Sequence, residues 1–415
     1  MRPGFLALAL LMAPPVLAAG LTGYADLQAA LDAQPGKVLT LPAGDHHISR
    51  KLVLRGDGAG LVGPGRIIQE NPDEPILELD GLKDVLLRDV TLTRAPGKTV
   101  ARKSALLAIR CAYLRIDQVR ILDNQSPTGA LALRECRFDR TKSLDWGYAF
   151  NCTDGTGIQV TASQGTLIEG NTVVEEIHRP TEALKKEHQL GVWTKKNPIK
   201  GNLVSQSAWD GGYTDSWQQG SGIVVTSPEA SDLTRILGNH IENAAQGIDL
   251  HADHVIVAHN VIVNSFMGMK AMHGSRNVLI TGNQFVKNAL WAIGLMPGAA
   301  AHPGQPDKPE TANADGGSVI SANIVSDFGH GDAHWIWGDE RSPFKFDTGQ
   351  QPDDPPLSDV VIQGNLLHCV GPPRYRYAVI IAGPVDGPKT PRGLRFQGNS
   401  LAPGKDGVAN RKLPE

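Results

Sequence analysis

The sequence predicts an all-β solenoid in one continuous domain, each turn made of three short strands and three bends. Three observations carry that expectation. First, one template recurs along the chain: apolar, any residue, apolar, any residue, Gly, Asn, any residue, apolar. It reads "TLIEGNTV" at Asn171, "TRILGNHI" at Asn239, "VLITGNQF" at Asn283, "VVIQGNLL" at Asn365 and "LRFQGNSL" at Asn399. "VIVAHNVI" at Asn260 and "SVISANIV" at Asn323 keep the Asn without the Gly, and "PIKGNLV" at Asn202 fits in part. Second, these eight asparagines stand 31, 37, 21, 23, 40, 42 and 34 residues apart, so the shortest unit is the length of one solenoid turn and longer intervals are turns with inserted loops. Third, the alternation before each Asn has period two, the mark of a strand with one buried face, whereas helical periodicity fits almost nowhere.

The chain opens "MRPGFLALALLMAPPVLAAG", with one Arg, an apolar run and small residues at Ala18 and Ala19. This matches a secretory signal peptide over residues 1–19, which places the mature protein, residues 20–415, outside the cell or in a periplasm. No other run is long and apolar enough for a membrane span. Next comes "YADLQAALDAQPGKVLTLPAGDHHISRKLVL", a short amphipathic helix with Leu27, Ala30 and Leu31 on one face, then a first strand, giving a cap over about residues 22–45. The upstream half keeps the rhythm with other residues in the Asn slot: Val90 in "VLLRDVTL", Val119 in "LRIDQVRI" and Cys136 in "LALRECRF". The solenoid should therefore run from about residue 37 to about 402. Gly before Asn supplies a bend, since Gly tolerates positive φ and Asn tolerates a left-handed backbone. Stacked turns would let the Asn amides bond to one another up a column.

This Gly-Asn repeat resembles the right-handed parallel β-helix repeat of the pectin-lyase-like superfamily over nearly the whole mature chain, and the opening segment is similar to that superfamily's N-terminal cap. The resemblance implies a right-handed parallel β-helix. It also implies a range of activities, because such helices include lyases, hydrolases and epimerases of polysaccharides as well as binding and adhesin modules.

Charge narrows the range of partners. The formal net charge is −3, and removing the leader with its Arg2 leaves −4. That argues against a nucleic-acid partner, which needs a concentrated basic surface. A local basic surface exists in "HRPTEALKKEHQLGVWTKKNPIK", residues 178–200, with six Lys or Arg against two Glu. It would suit a uronate chain, although a solvated charged loop has the same composition. Of four cysteines, Cys111, Cys136 and Cys152 lie close enough in sequence for one disulfide, with the pairing left open. "NQS" at 124 and "NCT" at 151 match the glycosylation acceptor, which matters only in a eukaryotic host.

Counting from the ladder asparagines gives a coordinate system for the outer face. Position +9 should point inward (Ile248, Met269, Ala292), and position +10 outward (Asp249, Lys270, Ile293). Position +12 is outward again (His251, Met272, Leu295), and "GIVVT" adds Val224 and Thr226 one turn earlier. Asp249 and Lys270 should lie side by side, with His251 close and His273 and Arg276 following round the next bend. A surface ion pair would look the same in sequence, but the neighbouring outward positions are apolar and the flanking turns carry long inserts. One insert, 205–222, carries Trp209, Asp210, Tyr213, Asp215 and Trp217; another, 328–347, carries His330, His334, Trp335, Trp337, Glu340 and Arg341. Aromatic residues on loops beside a groove are candidates to stack on sugar rings, or simply to cover the wall.

These residues suit β-elimination on an acidic, uronate-containing polysaccharide, which needs a cation at the carboxylate, a base for the C5 proton and an acid for the leaving oxygen. Lys270 or His251 is the expected base, Arg276 the carboxylate neutraliser and His273 the acid. The superfamily resemblance implies a Lys or Arg base with calcium or Arg as neutraliser. Only Asp249 stands at +10 where a stacked acidic cluster would hold calcium, so no metal ligand set is assigned and calcium is kept as a weakly supported alternative. A hydrolase would need two carboxylates, from Asp249 with Asp253, Asp210 or Asp215. A C5-epimerase shares the first step of the lyase, and a non-catalytic glycan-binding solenoid is the remaining alternative.

Overall fold

The computed structural model describes residues 23–96, 103–124, 155–175, 219–272, 274–298, 314–331, 341–348 and 354–415. These residues form three parallel sheets of eleven strands each, and every strand pairs with the strand three places on in the chain. Eleven turns stack from the strand Val38–Thr40 to the strand Gly407–Ala409, close to the limits read from the sequence. The one helix among the described residues, Tyr24–Asp32, buries Leu27 and Leu31 against the first turn. Its Gln28 amide donates to Val53 O at 3.0 Å and accepts from Val53 N at 2.9 Å, which satisfies backbone groups of a sheet edge that would otherwise be open.

The core is a column of stacked apolar side chains. Ile168, Ile236, Val257, Ile280 and Ile320 rise up the first sheet, all fully buried. From Leu86 onward, two residues make each bend between the first and second sheets, and the second is the ladder position. Gly170, Gly238, Gly282, Gly364 and Gly398 hold φ between 59° and 64° there, with His259 and Ala322 taking the same conformation where Gly is missing. The left-handed residue of the pair is therefore the one before the Asn, and the Asn is free to point its amide inward.

The asparagines form the expected column. Each Nδ2 donates to Oδ1 of the next rung, from Asn171 through Asn239, Asn260, Asn283, Asn323 and Asn365 to Asn399, at 2.8–3.0 Å. Each Oδ1 also accepts the backbone N–H of the rung below, as Asn283 Oδ1 does from Asn260 N at 2.9 Å. Two expected rungs are corrected. Asn171 bonds directly to Asn239, so Asn202 is not a rung, and residues 176–218 are one insertion within a turn. Val119 N donates to Asn171 Oδ1 and the strand Arg120–Leu122 pairs with Thr172–Val174, so Cys136 does not occupy a slot either. Cys111 is buried with a free thiol, so it takes no part in a disulfide; Cys136 and Cys152 lie outside the described residues.

Insertions are unevenly placed. Segments 97–102, 125–154, 176–218 and 332–340 each join a second-sheet strand to a third-sheet strand, and 299–313 and 349–353 follow third-sheet strands. The first two sheets are scaffold, and the differences in length from turn to turn collect at the edges of the third. Among the described residues no helix is long and apolar enough to cross a membrane.

The ladder makes a graded prediction. Asn283→Ala would leave the buried Asn260 backbone N–H without an acceptor and remove one bond each from Asn260 Nδ2 and Asn323 Oδ1, at a cost on the order of 3 kcal/mol, whereas Asn399→Ala, at the partly exposed end of the column, should cost less than half of that. Denaturant unfolding of the two variants would measure the difference; equal losses would mean that the column does not act as a buried chain.

Candidate functional site on the third sheet

The third sheet places Val224, Asp249, Lys270, Gly294, Lys345 and Ile380 side by side on successive turns. The expected neighbours Asp249 and Lys270 are therefore in register. The turn after Asn283 departs from the count: Gly294, not Ile293, stands beside Lys270, and Ile293 and Leu295 belong to the core. The cause is one extra residue in the bend between the second and third sheets, which spans 287–290 there and 264–266 one turn earlier.

Asp249 is the centre of the site, 1% exposed although it is a carboxylate. Its Oδ2 lies 3.4 Å from Lys270 Nζ and its Oδ1 3.0 Å from His251 Nε2. With its amide oriented to suit its neighbours, Gln246 donates to Asp249 Oδ2 at 2.8 Å and to Ser221 Oγ at 3.1 Å, and accepts from Lys270 Nζ at 3.1 Å. A charge removed this far from water must be compensated, and a lysine, a histidine and an amide share that task. The His251 contact is at ion-pair distance, while its N–H···O alignment falls short of a hydrogen bond; such contacts commonly tighten when substrate binds. His251 Nδ1 faces Thr226 Oγ1 at 3.3 Å. If Nε2 carries the proton toward Asp249, the lone pair is on Nδ1.

Gln246 shares this face because the strand Ala244–Leu250 slips its alternation. Gly247 points into the core, where a Cβ would lie 2.4 Å from Gly268 O and 2.5 Å from Ile262 Cγ2, and Ile248 also faces the core. Gln246 and Asp249, three residues apart, therefore both face outward. The sequence count missed Gln246 for that reason, and the column Gly222, Gly247, Gly268 was the available signal.

The other predicted residues are distributed differently. Arg276 sits on the bend from the third to the first sheet, where its Nε and Nη2 grip Asp253 Oδ2 at 3.1 and 2.7 Å and its backbone N donates to Oδ1. It is committed to Asp253 rather than brought to Asp249. Arg341 lies three turns beyond Asp249, roughly 14 Å along the axis at the usual strand spacing. It is packed by Gly329 and reaches Arg374 O at 3.5 Å; burial, with Arg374 nearby, lowers its guanidinium to about 10. His273, Trp209, Asp210, Tyr213, Asp215, Trp217, His334, Trp335 and Trp337 lie outside the described residues.

The counted positions also missed the far end of the same face. Lys345, 4% exposed, stands two turns beyond Lys270, with its Nζ 3.7 Å from Asp347 Oδ2. Between them the indole of Trp291 lies against Gly294, where a Cβ would meet Trp291 Cε3 at 2.5 Å. Trp291 Nε1 is buried and makes no hydrogen bond, a condition that costs about 1–3 kcal/mol. Lys345 is 22 residues past Asn323 because an insertion intervenes, so no fixed offset could have reached it. Among the described residues no group of three or more His, Cys, Asp or Glu is arranged to hold a metal ion.

With stacked parallel sheets and the outer-face cluster in place, the class of the protein follows: the chain has the right-handed parallel β-helix fold. A family profile described as "right handed beta helix region" matches residues 106–289. Among solved structures, the polygalacturonase from Erwinia carotovora ssp. carotovora is 12% identical with a TM-score of 0.56, over 97% of each chain. The tailspike protein of E. coli bacteriophage HK620 is 12% identical with a TM-score of 0.53, over 90% of this chain and 57% of that one. The catalytic unit of an alpha-1,3-glucanase from Streptomyces thermodiastaticus is 13% identical with a TM-score of 0.52, over 94% of this chain and 70% of that one. At these identities the likeness is one of fold. No curated protein sequence matches the chain.

One buried acid beside the site sets a pH prediction. Asp315 accepts from Gly274 N through Oδ1, while Oδ2 has no partner. Burial pushes its carboxyl well above the ordinary 3.8, with Asp253 and Asp354 adding to the rise against the hydrogen bonds of Gly274 and Ser275. A carboxyl raised on folding contributes stability that is full below its unfolded value and lost as pH rises through its folded value. Asp315→Asn should therefore raise the unfolding midpoint at pH 7 and leave it nearly unchanged at about pH 3. Thermal unfolding across that range checks this, and a midpoint lowered equally at both ends would contradict it.

Proposed function

We propose that this protein is a secreted carbohydrate-active enzyme that cleaves an acidic, uronate-containing polysaccharide by β-elimination on the outer face of the third sheet. The observation that carries this reading is the Asp249–His251–Lys270 cluster: one buried carboxylate holding a histidine and a lysine on the same face. His251, with Nδ1 turned to Thr226 and solvent, suits the base that removes the C5 proton. Lys270 suits the cation that stabilises the charge developing on the uronate carboxylate, a role for which Arg276 would first have to leave Asp253. Asp249 positions both and is not itself required to exchange a proton. As the C5 proton passes to His251, the C4–O bond breaks, a C4–C5 double bond forms, and the departing oxygen takes a proton. His273, three residues after Lys270, is the group placed by sequence to supply it.

Hydrolysis is the second reading, favoured by structural relatives that include a polygalacturonase, an endo-xylogalacturonan hydrolase and an alpha-1,3-glucanase. It needs two carboxylates roughly 5–9.5 Å apart. Among the described residues of this face, Asp249 and Asp347 stand three turns apart, about 14 Å by strand spacing alone, and Asp253 is held by Arg276.

Incubation of the mature protein with a panel of uronate-containing polysaccharides should produce the ultraviolet absorbance of a conjugated double bond. Lys270→Ala should abolish it, and His251→Gln should lower kcat by roughly 10²-fold or more with the fold intact by circular dichroism. New reducing ends without that absorbance would point to hydrolysis. Proton exchange into the polymer without cleavage would point to epimerisation, and binding with no change to the polymer would point to a glycan-binding solenoid.

A further inference from the structure

We infer that Tyr113 and Leu233, with Arg235 next to Leu233, form a second glycan-binding surface at the edge of the first sheet, away from the reacting groups, which holds another stretch of the acidic polysaccharide. This rests on the acidic-polysaccharide reading above and adds a place where the polymer is bound without being cut. Three successive turns make the patch. Tyr113, Gly165 and Leu233 occupy equivalent places in the bend from the third to the first sheet, directly after the paired residues Ala112, Gln164 and Asp232. Two residues further on, Arg115, Leu167 and Arg235 stand side by side on the outer face of the first sheet.

The backbone does not ask for large side chains here. From Asp84 to Gly393 the equivalent residue of each turn has φ between 49° and 63°, and Gly, Asp, Asn or His fills every such place except those of Tyr113 and Leu233. Those four types accept the left-handed backbone readily, whereas Tyr and Leu adopt it at a cost, and costs of that kind cluster at ligand-binding places. Both side chains face water, Tyr113 at 65% and Leu233 at 59% exposure. The Tyr113 ring lies with one edge against Gly165, where a Cβ would be 2.8 Å from Cδ1 and 3.1 Å from Cε1, so the glycine holds the ring in place while most of it stays open. Leu233, one turn beyond Gly165, continues this shelf over two strand spacings, about 9.6 Å. Arg115 is shared between Asp117 at 3.4 Å and Glu169 at 3.7 Å, but Arg235 is exposed and forms no ion pair among the described residues. A shelf that ends at such a guanidinium suits a polymer of pyranoses bearing carboxylates: the C–H face of one unit packs on the Tyr113 ring, and the acid of another meets Arg235. A second copy of the chain fits less well, because a stable pairing buries about 800 Å² on each partner and the neighbouring face carries the charged network of Arg88, Arg115, Asp117 and Glu169.

Calorimetric binding of polygalacturonate, of alginate and of their carboxyl-reduced, neutral counterparts tests this, in a His251→Gln background that suppresses turnover. Tyr113→Asn is expected to weaken binding of an acidic polymer about tenfold, and Arg235→Gln about threefold, the second with no effect on the neutral forms. Tyr113→Phe, which keeps the ring, should bind as the unaltered protein does. Because Asn accepts the left-handed backbone, Tyr113→Asn should hold or raise the thermal midpoint, which separates loss of binding from loss of fold. Undiminished acidic binding in Tyr113→Asn, or equal losses for acidic and neutral polymers in Arg235→Gln, would overturn the surface while leaving the elimination reading standing on its absorbance assay. Binding that depends on Tyr113 in a protein that yields no absorbance would support the surface and overturn elimination. A concentration-dependent dimer in sedimentation, dissolved by Tyr113→Asn, would give the patch to a second copy instead, and failure of the unaltered protein to bind any of the polymers would overturn both readings.

Discussion

Each turn of this molecule must land on the one before it at the strand spacing, and the column of buried asparagine amides is the interaction that holds it there. An amide side chain inside a bend has two donors and an acceptor to satisfy, and the geometry that satisfies them is another amide one turn away. Asn260 Nδ2 donates both to Asn283 Oδ1 and to Ile236 O, so the column stitches each turn to both neighbours. A slip by one residue would reverse every side chain's facing and break the column at once. Where the bend between the column and the third sheet keeps its length, that column carries its register through to the third sheet, as at the meeting of Asp249 with Lys270.

This constraint also explains where the chain tolerates change. The first-to-second bend is confined to two residues from Leu86 onward, because a third would displace the rung. Among the described residues the bends into the third sheet carry a shorter amide stack, Asn264 on Asn243 on Glu175 O, and every internal segment longer than a few residues outside the described structure joins at the bends into and out of that sheet. Rigid strands thus present the third sheet's outer face with loops at its rims, an arrangement common where a scaffold serves variable binding or chemistry. A one-residue difference in such a bend, 287–290 against 264–266, was enough to put Gly294 rather than Ile293 next to Lys270.

The electrostatics of the face follow from burial. Asp249 is covered almost completely and can persist as an anion only because His251, Lys270 and Gln246 surround it. Those same contacts fix the orientation of the histidine and lysine, so compensating the buried charge and positioning reactive groups are one arrangement. Arg276 is satisfied in the same way by Asp253, which removes it from the cluster.

The sequence by itself determined the solenoid, its three-strand turn, the capping helix with Leu27 and Leu31 inward, and the adjacency of Asp249 and Lys270, because all of these follow from a repeat that is visible as spacing. It overcounted rungs at Asn202 and Cys136, since a short template can arise inside an insertion and only stacking distinguishes the two. Tertiary structure alone decided what lies at the far end of a variable bend or insertion: Gln246 turned outward by the slip at Gly247, Arg276 drawn to Asp253, and Lys345 and Trp291 brought to either side of Gly294. Local periodicity fixes which face a residue takes within a strand, whereas the partner on the next turn depends on how many residues the intervening loop consumes, and that number is written in no repeat.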